Sequence, residues 1–167
     1  MKYCPFCRSE LKNGHKHQKS CSKCKYVYYN NPRPTASAII EKDKKILLVK
    51  RVFPPFKGYW DLVGGFLDYH ETPEEALRRE VKEEVNLDIV EFKLFRIDKN
   101  IYIDHDTKER LSVIDHQFIV SKFKGKIDPK DDVSDARWFS INNLPPYKKI
   151  AFKNIRNAIK EYKQKKL

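Results

Sequence analysis

Apolar and polar residues alternate with period two along much of the chain, which is typical of half-buried strands. The pattern predicts long strands at residues 35–40, 46–50, 87–96, 100–104 and 111–122. Shorter strands are predicted at residues 59–63 and 136–139. Residues 41–45 would close a hairpin between the first two strands, and the polar residues 105–109 would form a turn.

Two segments instead repeat their apolar residues at helical spacing. In the first, Thr72 suits the N-cap, Pro73 suits the first helical position, and Glu75 completes a Thr-x-x-Glu capping box. The apolar stripe of this helix is Leu77, Val81 and Val85, and that of a C-terminal amphipathic helix is Ile155, Ala158, Ile159 and Tyr162. Strands and helices together predict a mixed α/β domain.

Three glutamates lie beside the apolar stripe of the first helix. At about 100° per residue, Glu80, Glu83 and Glu84 span roughly 100° of arc. Like charges at this spacing each cost about 0.2–0.5 kcal/mol in an isolated helix, and bound Mg²⁺ or Mn²⁺ would offset that cost. A solvated acidic helix is the alternative. The preceding Gly64-Gly65 favours a site for a divalent metal and a phosphate, because glycine lets the backbone approach a ligand closely.

All four cysteines lie in two Cys-x-x-Cys pairs near the N-terminus, Cys4/Cys7 and Cys21/Cys24. This spacing is similar to that of a Cys4 zinc ribbon, in which Zn²⁺ would be structural. Two disulfides or a redox-active dithiol are the alternatives. Because the residues before Cys4 leave no room for a signal peptide, we expect a cytoplasmic protein with bound metal. The prolines and asparagines of residues 30–34 mark a boundary, so we predict a zinc ribbon at 1–32 and a second domain at 33–167.

The formal net charge of +12 is unevenly distributed. Residues 61–147 hold 13 Lys and Arg against 19 Asp and Glu, whereas both ends of the chain are basic. The acidic centre agrees with a metal site. Basic ends could steer an anionic substrate, contact RNA, or only promote solubility. The apolar runs are short, so we expect no membrane span.

The central segment resembles the signature of the Nudix hydrolase family, which runs Gly, five residues, Glu, seven residues, Arg-Glu-aliphatic-x-Glu-Glu-x-Gly-aliphatic. The chain has the matching residues in register: Gly65, Glu71, Arg79, Glu80, Val81, Glu83, Glu84 and Leu87. It departs at Asn86, where the family has glycine, and at Val63, where many relatives have proline. Asparagine tolerates left-handed backbone, so we expect the helix end to be kept. The resemblance implies an α+β fold, a Nudix α/β/α sandwich with a mixed sheet, preceded here by the zinc ribbon.

The resemblance also implies an activity, the hydrolysis of a phosphoanhydride bond in a nucleoside diphosphate derivative with Mg²⁺ or Mn²⁺. The implied metal ligands are the Gly64 carbonyl, Glu80, Glu83 and Glu84. The implied catalytic residues are Glu83, Glu80, Arg79 and Glu71, of which Glu83 or Glu80 would be the general base and Glu71 would fix the loop. An acid outside the signature stays open as the base, and the candidates are Asp104, Asp106, Asp115, Asp131, Asp132 and Asp135.

The substrate is less constrained, and we predict ADP-ribose or a similar nucleotide sugar. Candidate substrate-binding residues are Arg51, Phe53, Trp60, Tyr102 and Asp132. The chain lacks the Ser-Gln-Pro-Trp-Pro-Phe-Pro stretch of NADH pyrophosphatases, which argues against a dedicated NADH enzyme. The open alternatives are an NADH or NAD-cap hydrolase, a nucleotide-sanitising pyrophosphohydrolase, a zinc-ribbon module that binds nucleic acid, and an inert scaffold. The sequence does not determine the oligomeric state, and because relatives in the family are often dimers, a homodimer is one candidate.

Overall fold

The structure, a computed structural model, describes residues 1–15 and 17–166 and falls into two compact units, Met1–Pro32 and Arg33–Leu167. Each unit has a core of its own. Across the described residues, no helix combines the length and the apolar character that crossing a membrane requires.

The smaller unit contains a three-stranded antiparallel sheet. Its strands are β1 (Lys12–Asn13), β2 (Gln18–Ser20) and β3 (Val27–Tyr29), in the order β1-β2-β3. The core of the unit consists of Cys4, Leu11 and Cys21, with Cys7, Tyr26 and Tyr28 packed against it. So few apolar side chains cannot stabilise a unit of this size alone, and units below about 40 residues usually need a metal, disulfides or a partner.

The larger unit contains seven strands and two α-helices. They are β4 (Arg33–Lys42), β5 (Lys45–Arg51), β6 (Trp60–Asp61), β7 (Val63–Phe66), α1 (Pro73–Val85), β8 (Leu87–Ile103), β9 (Arg110–Gly125), β10 (Val133–Ser140) and α2 (Lys153–Lys166), with a short 3₁₀ helix at Tyr147–Lys149. The sheet order is β10-β5-β4-β9-β8, with β6 paired to β5 and β7 paired to β4. Since β4 and β9 are parallel and the other pairs antiparallel, the sheet is mixed.

The two faces of this sheet carry different helices because strand side chains alternate between faces. On β4, Ala38 and Ile40 belong to the core cluster that contains Val81 of α1. Ile39, between them, belongs to the cluster that contains Ile155 and Ile159 of α2. The sheet therefore lies between the helices, which confirms the α/β/α sandwich with a mixed sheet.

Helix α1 begins and ends as the sequence predicts. The Thr72 side chain accepts a hydrogen bond from the Glu75 N–H, and the Glu75 carboxylate accepts one from the Thr72 N–H at 2.8 Å, so the capping box is confirmed. At the other end, Asn86 has φ 57°, in the left-handed region. Asparagine therefore ends the helix in the conformation that the family's glycine would adopt.

Two strand predictions were wrong. The single short strand expected at residues 59–63 is divided between β6 and β7, which pair with β5 and β4 respectively. We expected separate strands at residues 87–96 and 100–104, but β8 is a single strand of 17 residues that pairs with β9 along its length. The pairing register shifts between Leu94 and Arg96. Such a bulge inserts an extra residue and reverses which side chains face the core, so the alternation is broken while the backbone pairing continues.

Candidate active site

Two glycines of β7 bring the backbone against the carboxylates of α1. The Gly64 N–H donates to Glu84 Oε2 at 3.0 Å. A Cβ on Gly64, where φ is +145°, would lie 2.1 Å from the Ala36 carbonyl oxygen. A Cβ on Gly65 would lie 2.4 Å from Glu80 Oε1. Glycine at position 65 therefore lets Glu80 lie against β7, and glycine at position 64 lets β7 pair closely with β4.

Arg79 holds three acidic side chains together. Its Nε and Nη2 donate to both oxygens of Glu71, at 2.7 and 2.9 Å. Its Nη1 donates to Glu80 at 2.8 Å and to Glu83 at 3.1 Å, and Nη2 also donates to the Phe66 carbonyl. The hydrogen bonds from Arg79 lower the pKa of Glu71 to about 2. The guanidinium thus fixes the loop before α1 and orients two carboxylates of the helix.

The cleft around these groups, of about 340 Å³, carries a large excess of negative charge. Its lining includes seven carboxylates and two guanidiniums: Asp61, Asp68, Glu80, Glu83, Glu84, Asp131, Asp132, Arg51 and Arg79. Burial raises the pKa of Glu84 well above its usual value, and burial also raises that of Glu80. Crowded, partly desolvated carboxylate oxygens are what hard divalent cations prefer as ligands, so the donor set fits Mg²⁺ or Mn²⁺.

Four of the five predicted substrate-binding residues line this cleft, namely Arg51, Phe53, Tyr102 and Asp132. The exposed Phe53 ring offers an apolar surface there. Trp60, the fifth, is not among the described residues that line the cleft. Trp60 instead packs edge-on against Phe139 at 4.8 Å between ring centroids, on the α2 side of the sheet.

The sequence analysis did not predict that Arg51 pairs with the buried Asp61. Arg51 Nη1 donates to Asp61 Oδ2 at 3.0 Å, and Arg51 Nε donates to the Pro55 carbonyl at 3.0 Å. Burial raises the pKa of Asp61 to about 6. The available signal was the position of Asp61 within a short apolar strand just before Gly64-Gly65, because an acid in a buried strand is rarely left without a partner.

The acids outside the signature are dispersed. Asp131 joins Asp132 at the cleft. Asp104 accepts hydrogen bonds within the turn after β8, the exposed Asp106 lies beside His105, and Asp135 pairs with Arg137 at 2.7 Å. Asp115 is buried below a separate cavity that adjoins the cleft.

In the smaller unit, the four cysteine sulfurs form one cluster. The Sγ atoms of Cys4, Cys7, Cys21 and Cys24 all lie within 4.8 Å of one another, and the cysteines are free of disulfides. The Cys4–Cys24 and Cys7–Cys21 pairs each have a sulfur–sulfur distance of 3.4 Å. A tetrahedral ion with Zn–S bonds of about 2.3 Å requires sulfurs roughly 3.8 Å apart, so the cluster fits a thiolate-bound metal.

The chain is similar in sequence to a known protein family and to several named proteins. The model of the NUDIX domain matches residues 31–161. An ADP-ribose pyrophosphatase of Methanocaldococcus jannaschii is 42% identical over 138 residues, which are 83% of this chain and 77% of that protein. An NAD-capped RNA hydrolase NudC of Vibrio atlanticus is 29% identical over 98% of this chain. The chain spans only 60% of the length of that NudC.

Among solved structures, a NUDIX hydrolase of Nitrosomonas europaea superposes with a TM-score of 0.73 at 25% identity. The superposition covers 99% of this chain and 92% of that protein.

Proposed function

The chain belongs to the Nudix family of hydrolases, and from that premise we propose that it hydrolyses a phosphoanhydride bond in a nucleoside diphosphate derivative. One observation carries the proposal: Glu80, Glu83 and Glu84 of α1 converge with the backbone of Gly64 on one strongly acidic cleft. Members of the family generally use divalent metals. An acidic cleft without a metal would repel a diphosphate, so the charge itself argues for bound cations.

The metal ligands would be Glu80, Glu83, Glu84 and the Gly64 carbonyl, a set made of oxygen donors only. When bound, Mg²⁺ or Mn²⁺ neutralises charge on the pyrophosphate oxygens and so favours attack by water at phosphorus. The side chains of the protein supply the remaining roles.

Arg79 and Glu71 would act as positioning residues. Their bidentate pair keeps the guanidinium in place, and the guanidinium in turn orients Glu80 and Glu83. Glu83, whose side chain is 48% exposed, lies at the open side of this network, and it would accept the proton of the attacking water. Glu80 is the alternative base.

Arg51 would contact the substrate. Asp61 and the Pro55 carbonyl engage its Nη1 and Nε, so the guanidinium is held in one orientation. Its remaining nitrogen is then available to a phosphate oxygen, for which a fixed guanidinium is well suited.

ADP-ribose, or a similar nucleotide sugar, is the substrate we propose. The name of the Methanocaldococcus jannaschii relative supports it, because that protein shares 42% identity over most of both chains. NAD-capped RNA is the second candidate. It is favoured by the match to the Vibrio atlanticus NudC, which extends over 98% of this chain.

A nucleotide panel tests both candidates. The purified chain is incubated with Mg²⁺ or Mn²⁺ and ADP-ribose, ADP-glucose, NADH, 8-oxo-dGTP or NAD-capped RNA, and the products are identified by mass. We expect AMP and ribose 5-phosphate from ADP-ribose at the highest kcat/KM. The matched variants are Glu83→Gln at the site and Glu91→Gln on the exposed part of β8. If the wild-type chain hydrolyses no nucleotide faster than Glu83→Gln does, the proposed activity is refuted.

For the smaller unit, we propose a structural Zn²⁺ bound by Cys4, Cys7, Cys21 and Cys24, which would supply the stability that its small core lacks. A homodimer, a contact of the basic ends with RNA, and a cytoplasmic location stay predictions. Light scattering of the purified chain and salt-dependent retention on single-stranded RNA test the first two.

A further inference from the structure

Each Cys-x-x-Cys pair of the smaller unit forms a tight turn, here called a knuckle, and the two knuckles have the same backbone geometry. In the first, the Arg8 N–H donates to the Cys4 carbonyl at 3.0 Å, and in the second, the Lys25 N–H donates to the Cys21 carbonyl at 3.1 Å. Arg8 and Lys25 both have left-handed backbone, with φ of 59° and 64°. Each knuckle therefore places an exposed basic residue directly after its second cysteine.

The basic residues of the knuckles have no acidic partner. Arg8, Lys23 and Lys25 are exposed, and none of them forms an ion pair with another described residue. The described part of the unit has one ion pair, between Lys2 and Glu10 at 3.8 Å. The unit holds seven Lys and Arg against one Glu, and four thiolates around one Zn²⁺ would subtract two charges and leave it basic. Unpaired cations at this density attract a polyanion.

An exposed aromatic ring lies beside these cations. Phe6 lies between the cysteines of the first knuckle, and its ring meets that of Tyr26, the residue after Lys25, with centroids 5.1 Å apart and planes at 69°. Phe6 is nevertheless 76% exposed, so most of the ring surface is accessible. The clustered cysteine sulfurs hold the two knuckles together. We define the knuckle surface as Phe6, Arg8, Lys23 and Lys25.

The combination of an open ring with unpaired cations discriminates among polyanions. The carboxylates of an acidic peptide could pair with the cations, but a nucleic acid also brings flat rings that can stack on Phe6. Stacking requires a single strand, because in a duplex each base face is covered by the next base pair. A ring that is already held by an edge contact loses little conformational entropy when it binds.

We propose that the knuckle surface binds single-stranded nucleic acid, with Phe6 stacked on one base and Arg8, Lys23 and Lys25 in contact with phosphates. These contacts are independent of sequence, because every base has a face and every nucleotide has a phosphate. The smaller unit would thus anchor a strand in addition to binding its metal. The proposal goes beyond the proposed hydrolysis and does not depend on it, since binding is measured without turnover.

The experiment measures fluorescence anisotropy of labelled strands of about 12 nucleotides, one of RNA and one of DNA, with the full chain purified in the presence of Zn²⁺. Both strands have a 5′-hydroxyl, so neither offers a diphosphate to the acidic cleft. Each phosphate contact contributes about −0.7 to the slope of log affinity against log salt concentration, so three contacts predict a slope of about −2. Binding of either strand supports the proposal, and the tighter strand identifies the nucleic acid.

Two variants separate stacking from charge. Phe6→Leu should lower the affinity by about tenfold and keep the salt slope. The double variant Lys23→Gln/Lys25→Asn should reduce the magnitude of the slope by about 1.4. Asparagine is chosen at position 25 because it tolerates left-handed backbone. One bound Zn²⁺ per chain, found by native mass spectrometry, verifies that each variant keeps the fold of the smaller unit.

The matched controls lie in the larger unit. Tyr147→Leu removes another exposed ring and should keep the wild-type affinity. Lys124→Gln/Lys126→Gln removes two exposed lysines with the same spacing as Lys23 and Lys25, and it should keep the wild-type slope.

Absence of binding by the wild-type chain at about 20 mM salt would overturn the proposal. An equal loss of slope in the two double-lysine variants would also overturn it, because the attraction would then come from the overall charge. Equal affinity for a duplex of the same sequence would exclude stacking on Phe6. Displacement of the strand by polyglutamate at equal charge concentration would indicate an acidic polypeptide as the partner instead.

Discussion

Gly65→Ala should lower activity without unfolding the protein. The new Cβ would lie 2.4 Å from Glu80 Oε1, whereas ordinary contacts begin at 3.4 Å, so the carboxylate must retreat by about 1 Å. The atoms it meets belong to the end of a flexible side chain rather than to backbone, so the fold can accommodate the change. A misplacement of about 1 Å at a catalytic group can lower the rate by about 10²-fold.

The assay measures kcat/KM for ADP-ribose with Mg²⁺, together with the melting temperature. We expect kcat/KM to fall by about 10²-fold while the melting temperature changes by only a few degrees. Gly14→Ala is the matched control, because its Cβ would meet the nearest atoms at 3.6 Å, and it should change neither quantity. A folded Gly65→Ala variant with kcat/KM within twofold of wild type would refute the role of Gly65 in placing Glu80.

Three further predictions concern Glu83, the pair of Glu71 with Arg79, and the cysteine cluster. Glu83→Gln should lower turnover by about 10³-fold or more with an unchanged far-UV spectrum, while Glu91→Gln should match wild type; near-normal turnover of Glu83→Gln would place the base elsewhere. Because Arg79 lowers the pKa of Glu71 to about 2, this pair stabilises the fold above the unfolded pKa near 4.5 and loses that contribution as pH falls towards 2. The stability lost in Glu71→Gln, measured by urea unfolding, should therefore shrink over that pH window, and a difference independent of pH would contradict this reasoning. Native mass spectrometry should find one Zn²⁺ per chain, lost in Cys4→Ser, and a metal-free wild-type chain would contradict the zinc proposal.

Local patterns sufficed for the elements whose conformation depends on near neighbours. The capping box of Thr72 and Glu75 and the left-handed Asn86 involve only residues a few positions apart, so the sequence contains all the groups that decide them. Strand β8 was divided wrongly because a bulge is a property of two paired strands, and the sequence of one strand shows only that the alternation is interrupted.

The candidate site shows the same division. The spacing of Glu80, Glu83 and Glu84 follows from helical geometry, and the structure agrees that they share one cleft. Trp60, by contrast, was a candidate ligand-binding residue only because its side chain is aromatic. It lies on the face of the sheet that α2 covers, and there it packs against Phe139. Aromatic residues in a strand can face either side of the sheet, and only the pairing with neighbouring strands determines which.

The amino-acid sequence by itself therefore determined three features. These are the helix with its three glutamates, the two cysteine pairs, and membership of the Nudix family. Only the tertiary structure brought Asp115 into contact with Asn154, which lies 39 positions later in the chain. It also placed Arg51 in the lining of the cavity that Asp115 and Asn154 line. The reason is physical. Contacts within a helix turn or a tight loop are set by backbone geometry, whereas contacts between distant segments depend on how the sheet pairs its strands and packs its helices.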